Sequence, residues 1–255
     1  MHFPPGVTGN ILRGALGKAL HETARAEDYA RIFEPASFRS GAGSGAGAGP
    51  SGLSDWPRPF VLRVAELEGR TVQRGERFRF GLNLFDTRSQ NLDQFTRAFS
   101  QWADLIEVEH EPVALDVSPH IAPVSRIRVG FQTPTELKAN GPDAKDEFSV
   151  LLARARDRLS TLRGLYGAGP LEIDFRGLAE RARSVKTLRS ELRRVAVERR
   201  SSRTGQRHGI GGLVGFADYE GDLAEFLPYL EAAHWIGVGR HCTWGNGQIK
   251  TTMLD

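Results

Sequence analysis

The sequence predicts an α+β protein made of two small domains, and three observations carry that prediction. At 255 residues, 40% hydrophobic and 25% charged, the chain has the composition of a globular protein and enough length for two cores. Strand-like and helix-like segments occur in both halves without the regular βα alternation of a doubly wound sheet. The stretch SPHIAP at 118–123 carries the punctuation of a domain boundary. The domains are therefore expected at 1–118 and 119–255.

In the first domain, NILRGALGKALHETARAEDYARIF after Pro4 and Pro5 has helical spacing, with Leu12, Leu16 and Leu20 on one stripe. GAGSGAGAGPSG at 41–52 has almost no side chains to pack and is expected to be a flexible loop. Strands are expected at 59–66 and at 77–86, where Phe78, Phe80, Leu82 and Leu84 alternate with polar residues. LDQFTRAFSQWADL at 92–105 returns to helical period, and an extended stretch leads to the boundary.

The second domain opens with SRIRVGFQTP at 125–134, a strand ended by proline, followed by an amphipathic helix over 146–167. In the following segment Leu178, Ala182, Val185, Leu188, Leu192 and Val195 are spaced by three and four. That spacing predicts one long helix, about 174–207. A strand at 212–221, a helix over DLAEFLPYLEAAHWIG, a loop GVGRHCTWGNG and a final strand in GQIKTTML complete the chain.

Composition narrows the chemistry. Cys242 is the only cysteine, so neither an intrachain disulfide nor a CxxC metal knuckle can form, and with no close HxxxH pair no metal or cofactor is expected. No segment reads as a secretory signal or a membrane span, and the expected location is the cytoplasm. Positive charge is almost all arginine, the lysines being Lys18, Lys138, Lys145, Lys186 and Lys250. Arginine suits bidentate phosphate binding and stacking on bases. Between 176 and 207 stand ten arginines, including Arg181, Arg189, Arg193, Arg194, Arg199, Arg200, Arg203 and Arg207, against three glutamates. A solvated helix face normally mixes its charges, so this one calls for an anionic partner, and phosphate is the natural one.

The glycines of 237–247 do not bind a dinucleotide: GxGxxG must follow a strand and open a helix, and here the order is reversed. Among the histidines, His21 stands one helical turn from Arg25 and two from Tyr29. The three would share a face presenting a base, a cation and a hydroxyl, although spacing alone is equally compatible with a histidine that merely packs.

The glycine pattern GxGxxxxxGxG at 237–247, near the C-terminus and after a helix, resembles the glycine-rich loop of the RAMP superfamily of CRISPR-associated proteins. FQTPTELK at 131–138, the helix ending RLSTLRGLYG, SSRTGQRHGIGGLVGFADYEGDLAEFLPYL and NILRGALGKAL together resemble its repeat-RNA-processing endoribonucleases. The resemblance implies two tandem ferredoxin-like (RRM-like) domains that bind a CRISPR repeat hairpin and cut precursor crRNA without metal. The arginine-rich helix is similar to the helical finger of the type IV version. Cleavage by the ribose 2′-hydroxyl would leave a 2′,3′-cyclic phosphate. The protein would stay on its product within an effector complex of other CRISPR subunits. His21 matches the family's catalytic histidine, with Arg25 and Tyr29 positioning or stabilising charge. Arg31, Arg39, the arginines from Arg181 to Arg207 and His208 would bind RNA. So would the loop residues Gly237, Gly239, Arg240, His241, Trp244, Gly245 and Gly247, the glycines by bringing backbone amides to phosphate. The competing reading is a non-catalytic crRNA-binding subunit of an effector complex, which shares the fold without cutting.

Overall fold

A computed structural model describes residues 1–34, 56–86, 92–105, 107–137, 147–200 and 207–254. The expected loop at 41–52, together with Arg39 and Arg203, lies outside the described residues. Two hydrophobic clusters organise the rest, one drawn from residues 3–99 and one from 124–249.

The N-terminal cluster begins with α1 (Thr8–Thr23). Leu12, Leu16 and Leu20 are fully buried, as their four-residue spacing requires, and each leucine held this way contributes about 2–5 kcal/mol relative to alanine. The expected single helix breaks at Ala24 and Arg25, where ψ rises to 157° and 150°, and resumes as α2 (Ala26–Phe33). Glu27 and Asp28 in the first turn of α2 favour a new start there by meeting the helix dipole. Next come β1 (Phe60–Arg63), β2 (Gly81–Leu84), paired antiparallel with it, and α3 (Leu92–Ser100). The first residues of the chain run beside 69–72, the Phe3 amide donating to the Arg70 carbonyl at 2.8 Å and the Val72 amide to the Met1 carbonyl at 2.7 Å.

The C-terminal domain is built on β3 (Arg126–Thr135), α4 (Phe148–Tyr166), α5 (Phe175–Ala182) and β4 (Lys186–Val195). The short pair β5 (Glu198–Arg200) and β6 (Arg207–Gly209) follows, then β7 (Gly212–Glu220), α6 (Leu227–Ile236) and β8 (Ile249–Met253). The sheet runs β4-β7-β3-β8, all antiparallel, which is ferredoxin-like order, with α4 and α6 packed together. Ile127, Val129 and Phe131 of β3 point into the core while Arg126 and Arg128 alternate outward. β3 does not stop at its proline: its register with β7 jumps between Phe131 and Thr135, and Pro134 sits in that irregular stretch, where no ladder donor is needed.

The expected helix over 174–207 is the main correction. Its residues divide into α5, strand β4 and the β5–β6 pair. Arg181 lies on α5, Arg189, Arg193 and Arg194 on β4, and the backbones of Arg199, Arg200, Arg207 and His208 on β5 and β6. The three-and-four spacing of apolar residues is real, but Leu188, which a helical stripe would bury, is 50% exposed. The free edge of β7 supplies hydrogen-bond partners from Glu220 to Gly212 for Lys186 to Val195, and that non-local pairing overrides the local pattern. A strand also spaces same-side arginines by two rises, roughly 7 Å, which eases the repulsion that a helix would concentrate.

Candidate nucleic-acid interface

One ridge of α1 organises the surface where the expected catalytic residues and the glycine loop meet. Gly9, Arg13, Gly17 and His21 are spaced by four, so they line one side of the helix. At Gly9 an added Cβ would lie 1.8 Å from the Trp244 carbonyl oxygen, so only glycine lets α1 touch the loop. Arg13 lies over the Phe33 ring at 4.4 Å and the Trp244 ring at 5.5 Å. Gly17 makes room for Phe33, whose ring carbon would otherwise stand 2.4 Å from a Cβ. His21 meets Tyr29 edge-on, ring centroids 5.1 Å apart, and Tyr29 stacks on Phe33 at 5.6 Å. A continuous run of rings and guanidinium thus joins His21 to Trp244.

The three residues expected to share one helix face are divided. His21 belongs to α1 and Tyr29 to α2, and packing of the helices brings the two rings together. Arg25 caps the break and turns toward its own helix, its guanidinium 3.1 Å from Asp28 and 3.2 Å from Glu27. Arg31 donates to Asp28 and to Asp86, both at 3.0 Å. That bond from Arg31, together with Arg25, holds the buried Asp28 carboxyl below the usual aspartate range despite desolvation.

The glycine loop is a brace before it is a surface. Gly237, Gly239, Gly245 and Gly247 all have positive φ, between 74° and 80°, and so does His241 at 63°. At Gly247 the requirement is double, since a Cβ would also lie 2.2 Å from the Val238 carbonyl. The amides of Val238, Arg240 and Gly247 donate to the carbonyls of Gly247, Glu136 and Pro134 at 2.9, 3.1 and 3.1 Å. These three amides are committed to the fold. Trp244 likewise stacks on His241, centroids 4.6 Å apart and planes 5° from parallel. Glu136 holds Arg240 at 3.1 Å and His241 at 3.4 Å. Cys242 is buried, and desolvation pushes its thiol up, away from a nucleophile's range.

The loop and the end of α6 also join the domains. Gln248 donates from Nε2 to the Leu62 carbonyl at 3.0 Å, and Asn83 Nδ2 to the Trp235 carbonyl at 2.6 Å. Arg63 donates from Nη1 to the His234 carbonyl, and its Nη2 stands 3.3 Å from His234 Nε2. Tyr166 donates its hydroxyl to the Pro57 carbonyl at 2.6 Å, and burial raises its pKa to about 12.

A second basic surface covers the sheet face opposite the core. Alternation places Lys186, Arg189, Glu191 and Arg193 of β4 beside Glu220, Asp218, Phe216 and Val214 of β7. Arg126, Arg128 and Lys250 extend the same face across β3 and β8. The Arg128 and Arg189 guanidinium carbons lie 3.9 and 5.3 Å from the Phe216 ring centroid. Arg128 also grips Asp218 in two bonds of 2.7 and 2.8 Å, which lowers the carboxyl's pKa. Six cations here face three carboxylates. Arg189 pairs with Glu191, and on α5 Arg181 pairs with Glu225 through two bonds of 2.7 Å. Exposed pairs of this kind hold weakly in water, so phosphate can displace the carboxylates at small cost.

Sequence reasoning passed over Arg13, Arg63, Arg58, Glu136 and Gln248. Only Arg13 left a signal, its four-residue spacing from Gly9, Gly17 and His21. Arg63 and Gln248 act across the domain junction, Arg58 donates to the Phe33 carbonyl at 2.7 Å and Glu136 holds the glycine loop, all partners distant in sequence, where spacing is silent. Among the described residues no helix is long and apolar enough to cross a membrane.

Comparison with known proteins adds the family. Residues 129–249 match the family model described as CRISPR-associated endoribonuclease Cas6, and residues 1–111 match a second described as an N-terminal domain. No curated protein matches the chain. Among solved structures, the product complex of Cas6 (TTHB231) from Thermus thermophilus is 16% identical with a TM-score of 0.59, covering 98% of this chain and 95% of that one. The product complex of Cas6 (TTHA0078) is 18% identical over 99% of this chain and 95% of that one, TM-score 0.47. The first likeness gives the whole chain the tandem ferredoxin-like fold, and residues 129–249 carry the similarity to the CRISPR-associated endoribonuclease Cas6 family.

Proposed function

We propose that this protein is a metal-independent endoribonuclease that binds the hairpin of a CRISPR repeat and cuts precursor crRNA once per repeat. The observation that carries the reading is the α1 ridge, which puts His21 and Tyr29 on one surface with Arg13, Trp244 and His241. Cleavage follows by internal transfer. His21 takes the proton of a ribose 2′-hydroxyl, the 2′-oxygen bonds to the adjacent phosphorus, and the bond from phosphorus to the next 5′-oxygen breaks. A proton delivered to that oxygen completes the step and leaves a 2′,3′-cyclic phosphate. Tyr29 fixes the imidazole edge-on, and arginine charge near the ridge stabilises the phosphorane.

RNA phosphates run along the open sheet face, where Lys186, Arg189 and Arg193 exchange carboxylate partners for phosphate. Recognition there is by shape and backbone, because the deep, narrow major groove of A-form RNA limits base reading. The product stays bound, and the other subunits of an effector complex gather on it.

The test incubates the protein, in excess chelator, with end-labelled repeat hairpin from its own CRISPR array, beside a copy carrying one 2′-deoxy substitution at the mapped cut. Cutting of the first and sparing of the second is expected. Tight binding with neither RNA cut would replace the nuclease with a crRNA-holding subunit.

A further inference from the structure

The C-terminal end of α6 is where the two domains hold each other, and one titratable ring stands at the contact. The carbonyls of its last turn are capped from other elements: His234 by Arg63 of β1, Trp235 by Asn83 of β2 and Ile236 by Arg158 of α4, the last two at 2.6 and 2.8 Å. The His234 ring is half-buried, with Nδ1 2.9 Å from the Ile249 carbonyl of β8 and Nε2 3.3 Å from Arg63 Nη2. A carbonyl only accepts and a guanidinium only donates. The ring must therefore carry its proton on Nδ1 and offer a bare Nε2 to Arg63, which is the neutral imidazole.

From this geometry we infer that His234 and Arg63 form an acid-sensitive latch between the domains, closed when His234 is neutral and released when it takes a proton. A proton on Nε2 turns an acceptor into a donor facing a donor, and puts two cations about 3 Å apart. The other charges facing His234 do not offset this. Lys250, next to Ile249 on β8, adds a cation. Asp116 of the connecting segment and Glu231 on α6 line a cavity of about 500 Å³ with His234. Asp116 is held by the Ser118 amide and hydroxyl at 2.9 and 2.8 Å, and Glu231 stands 3.3 Å from His120.

Burial, followed by the Arg63 charge, lowers the His234 pKa below its ordinary value near 6.5. The sign follows. Above pH 6.5 the neutral ring suits both states, and the latch contributes fully. As pH falls below 6.5 the released ring binds protons that the latched ring refuses, so opening becomes easier until the lowered pKa of the closed state is passed. The cross-domain bonds described above from Gln248, Asn83 and Tyr166 involve no group that titrates between pH 5 and 8. The consequence reaches the proposed site. Gly237 follows α6 directly, and the loop it begins holds Trp244 against Gly9 and Arg13.

The single thiol of the chain reports the latch. Cys242 is 2% exposed in the turn that packs against α1 and β1. Its reaction with dithiodipyridine, divided by that of a cysteine peptide at the same pH, removes thiolate ionisation from the reading. In the full-length wild type the ratio should rise, by up to about tenfold per pH unit, as pH falls below 6.5, one proton being linked to opening. In His234→Gln, which cannot take a proton there, it should stay flat, and Arg63→Gln should raise the ratio at pH 7.5 and flatten its rise. A flat wild-type profile overturns the latch, as does a His234→Gln profile that rises like the wild type. Should His234→Gln fail to fold, Arg63→Gln decides alone, and a slope equal to wild type overturns the latch. The measurement uses no RNA, so its outcome is independent of the nuclease reading.

Discussion

At the scale of the residue, His21 and Gly9 make opposite demands on α1. His21 is exposed and braced by Tyr29, so His21→Ala should leave folding intact. It should slow single-turnover cleavage of repeat RNA by about 100-fold or more, the usual effect of removing a general base. A variant cutting at the wild-type rate would exclude His21 from proton transfer. Gly9→Ala instead forces a methyl into the Trp244 carbonyl, and the helix must move off the loop. Overpacking of this kind costs about 1–3 kcal/mol, read as a lower midpoint in urea. An unchanged midpoint would mean that α1 does not rest on the loop. Gly9 was legible as glycine, but its reason was not, because the atom it makes room for is 235 positions away in sequence.

At the scale of the element, β4 turns a run of arginines into two rows. Arg193 shares the open face with Phe216 and Arg128, whereas Arg194 alternates to the other side beside Leu213. Arg193→Gln should weaken repeat-RNA binding and lower the slope of log affinity against log salt by about one unit, with little change for Arg194→Gln. Equal losses would put RNA along the strand edge and not across its face. A helix would have grouped the two differently, which is why the distinction was beyond the sequence. The abundance of arginine showed in composition, but its direction depended on a hydrogen-bonding partner 19 or more residues downstream.

At the scale of the molecule, the domains should unfold together at pH 7.5. Buried Gln248 reaches the Leu62 carbonyl, and replacement by leucine leaves a buried acceptor without its donor. In wild type, urea transitions followed by amide protection in β1 and in β7 should coincide. In Gln248→Leu they should separate, and continued coincidence would show that the remaining junction suffices. Acid acts on the whole fold through Asp28 as well. Its depressed pKa means that its contribution is complete above the ordinary aspartate value near 3.8 and is lost as pH falls below it. Asp28→Asn should therefore be less stable than wild type at pH 7, with the gap closing toward pH 2. A gap independent of pH would exclude the ion pairs as its source.

By itself the sequence determined the α+β class, the buried stripe of α1, the glycine pattern near the C-terminus and the surplus of arginine. Each of these is written in local spacing or in residue chemistry, and local physics is enough to read it. Tertiary structure alone decided that the arginine segment is an edge strand, that the amides of Val238, Arg240 and Gly247 serve the fold, and that Arg13 and Arg63 bridge the domains. Those outcomes depend on backbone donors, carbonyls and rings brought from distant parts of the chain, and a periodic pattern carries no information about what will stand opposite it.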